Sequence, residues 1–183
     1  MDFSLLTLQG LNKIVTAKFE FENKAENTLR IIRQKTDKNE WAFLEIEIST
    51  DLAEVIKRCR SSGIASPFII HHKPIRRNPD QSKDHWSQIL PNYLGQELRK
   101  IRDSLDELAA IPPHARPTFH EIRSLGSHLY DIQGYSDEGY VQPLMGHSDV
   151  DMTRKYQAGH EIKWVKVKAE LSLDVLYKNE MGK

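Results

Sequence analysis

The chain has 183 residues, with 26 Lys and Arg against 26 Asp and Glu, a length that suits one domain with a well-buried core. A net charge of zero argues mildly against a uniformly basic nucleic-acid binder, and no apolar run approaches a membrane span. The acidic start MDFSLLTLQG is unlike a signal peptide, and Cys59, the single cysteine, excludes an internal disulfide framework and reads as helix packing in a reducing cytoplasm.

Residues from Ser4 to about Ala17 pattern as helix interrupted at Gly10. KFEFE (18–22), TLRIIRQ (28–34) and EWAFLEIEI (40–48) alternate as strands, with turn-like NKAEN and KTDKN between them. Three short strands in succession predict an antiparallel meander. STDLAEVIKRCRSS follows with a Ser/Thr/Asp cap, apolar residues at helical spacing, and Gly63 to end it. After the short apolar run SPFIIHH, the loop KPIRRNPDQSKD carries two prolines. A helical segment is then expected from about His85 to Leu108, broken near Pro91, and after the turn IPPHARP a Thr118-capped helix from Phe119 to Gln133. Ser136 is expected to cap a helix to about Met145, and Ser148 or Asp149 one to about Gln157. EIKWVKVK alternates as a strand, and LSLDVLYKNEMGK is a tail. The class is α+β, mainly helical, with a three-stranded antiparallel sheet and a C-terminal strand.

Charge is unevenly placed. Between Ile56 and Asp103, ten lysines and arginines meet three acidic residues. Lys73, Arg76 and Arg77 in the loop, with Arg99, Lys100 and Arg102 on the following helix, form a candidate phosphate-backbone surface. A solvated basic loop and helix is the plainer alternative. Trp86 is assigned to the core rather than to base stacking.

Two short stretches carry candidate chemistry. In TFHEIRSLGSHLY, His120 and Arg123 are three apart and share a helix face, pairing a group that titrates near neutrality with a permanent cation suited to phosphate oxygens. Position 124 is Ser, so the zinc-protease pattern H-E-x-x-H fails. In LMGHSDVDMTRKY, His147 follows Gly146 and Tyr156 comes nine residues later. Only about one tyrosine in a thousand is ionised at pH 7, so a nucleophilic Tyr156 needs cations and proton carriers around it. Taken singly, these residues also read as a surface salt bridge, a surface histidine and a packing tyrosine. His71, His72 and His85 read as scattered surface residues, with no metal-ligand cluster.

Taken together, H-x-x-R, then G-H, then T-x-x-Y in this order resemble the catalytic domain of the tyrosine recombinases, most nearly the lambda-type phage integrases. The matching residues are His120, Arg123, Gly146, His147, Thr153 and Tyr156. Lys35 in RQKT matches the lysine of the family's β-hairpin. The resemblance implies a catalytic domain over 1–168, expected to be incomplete at its N-terminus, and a tail over 169–183. It implies site-specific recombination, integration or excision of a phage or prophage, by DNA cleavage and rejoining through a 3′-phosphotyrosine on Tyr156. Arg123 and His147 would bind the phosphate oxygens, His120 would bind phosphate or accept the tyrosine proton, and Lys35 would protonate the leaving 5′ oxygen. No cofactor or metal is implied. The implied partners are double-stranded attachment-site DNA, further protomers in a tetramer on DNA, and accessory DNA-bending or excision proteins, in the cytoplasm and nucleoid of a bacterial host and away from membranes.

One part of the family pattern is absent. The family carries another arginine in a T-G-x-R turn before the meander, whereas the first arginine here is Arg30. QGLN (9–12) is the nearest analogue and would set neutral Asn12 in that place. The alternative reading is therefore a catalytically weakened prophage remnant that only binds DNA or protein.

Overall fold

The computed structural model describes residues 1–35, 40–75, 83–135, 140–145 and 165–174. Helix α1 (Asp2–Thr7) runs through the interior, with Phe3, Ser4, Leu5, Leu6 and Thr7 all buried. Its polar groups are satisfied locally: Thr7 Oγ1 donates to Phe3 O at 2.6 Å and Ser4 Oγ to Gln9 O at 2.8 Å. Tyr130 donates its phenol to Leu6 O at 2.8 Å. The helix stops where Leu8 enters the left-handed region, φ 52, and Gly10 opens the single turn α2 (Leu11–Ile14). The interruption expected at Gly10 is thus made by Leu8 and Gly10 together.

The sheet has four strands in the order β1 (Glu22–Asn23), β2 (Thr28–Lys35), β3 (Glu40–Ile48), β4 (Val165–Ala169). β1, β2 and β3 are antiparallel neighbours, and β4 lies parallel to β3. Leu29 faces Ile46 and Ile31 faces Leu44, all four buried, which is the core face of the alternation read in the sequence. Beside them Glu45 is buried and accepts from Thr28 Oγ1 and Arg30 Nε. The first expected strand is the exception. Ala17 and Lys18 pair with the 67–69 segment (Ile69 N to Ala17 O, 2.9 Å), residues Phe19–Phe21 form a 3₁₀ turn, and only Glu22 and Asn23 join the meander.

Helix α3 (Thr50–Arg60) is capped by Ser49 and buries Leu52, Val55 and Ile56. The helix expected from His85 begins instead at Pro91, as α4 (Pro91–Asp103), followed by the short α5 (Asp106–Ala109). Residues 85–90 are drawn off to a different partner: His72 N bonds Ser87 O, and His71 bridges Gln88. Proline at the first helical position then gives up nothing, because the N–H it lacks would have had no helical partner. Helix α6 (Phe119–Ile132) packs on α1, and α7 (Gln142–Met145) lies near β4. Packing continues past β4: Leu171 and Leu173 are buried, Gln133 exchanges two hydrogen bonds with Ser172, and Leu173 N donates to Asp51 at 2.6 Å. Among the described residues no helix is long and apolar enough to cross a membrane.

The α1–α6 crossing depends on Gly126. A Cβ there would stand 2.9 Å from the Leu5 carbonyl oxygen and 2.6 Å from Leu8 Cδ2. The backbone oxygen cannot swing aside as a side chain can, so Gly126→Ala should lower the unfolding free energy by about 1–3 kcal/mol. Denaturant titration checks this, and an unchanged midpoint would mean that the two helices can separate without loss.

Candidate active site

The capping box at the head of α6 sets where His120 and Arg123 stand. Thr118 Oγ1 accepts from His120 N at 3.3 Å, while Thr118 N donates to the Glu121 carboxylate at 2.6 Å. The hydrogen bonds from Thr118, its hydroxyl first, hold the Glu121 carboxyl below its ordinary range. Ile122, Gly126, Leu129 and Tyr130 face inward. That leaves His120 exposed in the first turn and Arg123 half-buried.

Arg123 Nη2 donates to Met145 O at 2.7 Å, and its Nε is buried with no hydrogen-bond partner among the described residues. Burial alone pushes the guanidinium's pKa down. Arginine stays charged in proteins and offers five N–H donors in a fixed fork. A half-desolvated fork with donors to spare is suited to an anion that presents several oxygens. Met145 is the last described residue of α7 and immediately precedes Gly146 and His147 in the chain. The carbonyl before it, Leu144 O, accepts from Gln9 Nε2 at 2.7 Å. The turn after α1, the head of α6 and the end of α7 therefore meet at one place.

Lys35 ends β2, paired across the hairpin with Glu40. His147, Tyr156, Arg76 and Arg77 lie outside the described residues, as do Gly146 and Thr153. Two other tyrosines are unsuited to attack: Tyr130 and Tyr135 donate to backbone carbonyls, and burial pushes both phenols above their ordinary value. Asn12 lines an open cleft of about 310 Å³ with Lys13, Thr16, Lys18 and Arg30.

The basic middle of the chain is less uniform than its sequence suggests. Lys73, Arg99 and Lys100 are exposed, though Lys100 pairs with Glu97 at 2.6 Å. Arg102 is turned into the fold: it pairs with Asp103 and sends Nη1 to Pro117 O at 2.9 Å, bracing the approach to Thr118. Arg58 pairs with Asp2 and Arg60 with Glu22, partners far away in the chain. The three histidines read as surface residues are half-buried instead. His71 Nδ1 lies 2.8 Å from Phe68 O and His85 Nδ1 2.8 Å from Ser87 Oγ, while the His72 ring packs on Tyr93. Among the described residues no three His, Cys, Asp or Glu are grouped to hold a metal ion. Cys59 packs against the core, and burial raises its pKa.

No family model matches the chain. Over 172 residues it is 29% identical to the prophage integrase IntE of Escherichia coli K12, covering 91% of this chain and 42% of that protein. Over 168 residues it is 28% identical to the integrase of Enterobacteria phage P21, covering 90% and 41%. The chain thus spans about two fifths of the length of the curated relatives it matches. In fold it matches the lambda integrase catalytic core with a TM-score of 0.62 at 17% identity, over 91% of this chain and 83% of that one. It also matches a lambda integrase tetramer bound to a Holliday junction, with a TM-score of 0.57 at 17% identity, over 88% and 42%. The chain is thus similar in sequence to phage and prophage integrases and in fold to the lambda integrase catalytic core.

The sequence pattern singled out His120 and Arg123, and it passed over the long-range contacts of Gln9 and Arg102. Both act on carbonyls distant in sequence, and no local spacing announces such a partner. The cap of α6 is testable by itself. Thr118→Ala should cost about 1 kcal/mol of stability at neutral pH. A carboxyl with a lowered folded-state pKa stabilises fully above its unfolded pKa and loses that contribution as pH falls through the folded one. The difference between wild type and Thr118→Ala in thermal melts should therefore shrink below about pH 4. A gap that stays constant down to pH 2 would show that Glu121 contributes nothing.

Proposed function

We propose that the chain breaks and rejoins DNA site-specifically, as the catalytic domain of a phage- or prophage-type integrase. The observation that carries this reading is Arg123: half-buried, its Nε without a partner among the described residues, and bonded to the carbonyl that precedes Gly146 and His147. In this reading the Tyr156 phenol attacks a scissile phosphorus and passes its proton to His120. The P–O bond to the 5′ oxygen breaks, and Lys35 supplies the proton that makes the departing 5′-hydroxyl. Negative charge on the non-bridging oxygens is met by Arg123 and His147. A 5′-hydroxyl from another strand then attacks the phosphotyrosine and reverses the step, so one phosphodiester is exchanged for another.

Double-stranded DNA binds, in the same reading, across Lys73, Arg76, Arg77, Arg99 and Lys100, with Arg102 as a brace beneath them. Such binding should weaken steeply with salt. Further protomers in a tetramer and accessory DNA-bending proteins complete the assembly, in the cytoplasm of a bacterial host at its nucleoid.

A second reading, a domain that binds DNA without cutting it, is favoured by the missing arginine. Leu8 has the positive φ that a glycine adopts freely. That supports aligning Thr7-Leu8-Gln9-Gly10 with the T-G-x-R turn, so that Gly10 rather than Asn12 stands where the arginine would be. A Cβ at Gly10 meets nothing within 4 Å. Incubation with a nicked attachment-site duplex that traps covalent product separates the readings. The recombinase reading expects an adduct on a denaturing gel that is lost in Tyr156→Phe, and Gly10→Arg should raise its rate by about a hundredfold or more while Asn12→Arg does not. DNA shifts without any adduct, in the wild type and in Gly10→Arg, would leave the binding domain as the function.

A further inference from the structure

We propose that Gln9 is a positioning residue for the catalytic reaction, acting with Arg123 as a two-point clamp on the end of α7. The proposal rests on the reading of His147 and Tyr156 as reacting groups. Gln9 is 1% exposed. Its Nε2 donates to Thr7 O and to Leu144 O, both at 2.7 Å, so both of its N–H groups are used. Burying a carboxamide is costly unless it is paired, and here the pairing joins residues 135 positions apart. The backbone of Gln9 is itself held, because Ser4 Oγ donates to Gln9 O.

The clamp acts on two consecutive carbonyls of α7. Leu144 is fully buried and fixes this stretch sideways, and hydrogen bonds to the carbonyls fix its direction. Gln9 takes Leu144 O and Arg123 takes Met145 O, consecutive groups in the chain. The next two residues are Gly146 and His147. Arg123 has a second duty in the proposed reaction, toward phosphate. Gln9 has none, so it keeps the end of α7 in place while the guanidinium engages the anion.

Gln9→Met removes both donors at nearly constant volume. In hydrogen exchange of the full chain, amides in the peptide spanning 140–147 should exchange at least about tenfold faster, with α6 and the sheet as protected as before. In the trapped-adduct assay the rate should fall by about tenfold or more, while DNA affinity changes by less than about twofold. Gln9→Glu adds a pH signature. A buried carboxylate facing two carbonyl oxygens has its pKa raised, and only the protonated acid can donate. Its exchange and adduct rate should therefore be worst near pH 8 and move toward wild type as pH falls toward 6. Unchanged exchange at 140–147 in Gln9→Met, or loosening of every segment alike, overturns the clamp. If the wild-type chain forms no adduct, the catalytic reading fails, and the exchange measurement still decides whether Gln9 holds α7.

Discussion

The carbonyls of Leu144 and Met145, consecutive in α7, are taken by two long side chains, Gln9 from the turn after α1 and Arg123 from the head of α6. Much of the architecture serves to bring these three elements together. α1 is buried along its length, α6 approaches it closely enough that Gly126 has no room for a methyl group, and the phenol of Tyr130 ties α6 to the last turn of α1. Arg123 is thereby held half out of water, with its Nε unpartnered among the described residues. That is an expensive state for a cation, and the proposed function gives it a use, a phosphate.

Where local chemistry decided the structure, the sequence was readable. β3 spans Glu40–Ile48 as expected and turns Leu44, Ile46 and Ile48 into the core, Ser49 caps α3, and Thr118 with Glu121 caps α6. Reading failed where a segment found a partner far along the chain. KFEFE alternates well, yet Ala17 and Lys18 pair with residues near Phe68, and the strand shrinks to two residues. Residues 85–90 likewise bond to His71 and His72 rather than starting α4.

The candidate site divides in the same way. His120 and Arg123 were legible because three residues of helix put them on one face. Gln9 was not, since a glutamine in a turn says nothing of a carbonyl 135 residues away. The basic stripe between Ile56 and Asp103 was overread for a related reason. Counting charge along the chain cannot see that Asp2 lies against Arg58, Glu22 against Arg60, or that Arg102 points inward to Pro117. Of the residues proposed to meet DNA, Lys73, Arg99 and Lys100 are the exposed ones among the described residues.

The claim that matters most is that Arg123 is aimed at a DNA phosphate shared with Tyr156. A structure of the chain bound to a duplex carrying one intact scissile phosphate tests it directly. The account predicts Arg123 donors about 2.7–2.9 Å from the non-bridging oxygens, Met145 O still bonded, and the Tyr156 hydroxyl facing the same phosphorus. A duplex bound elsewhere, with the Arg123 fork closed over by protein and Tyr156 turned to another surface, would contradict it.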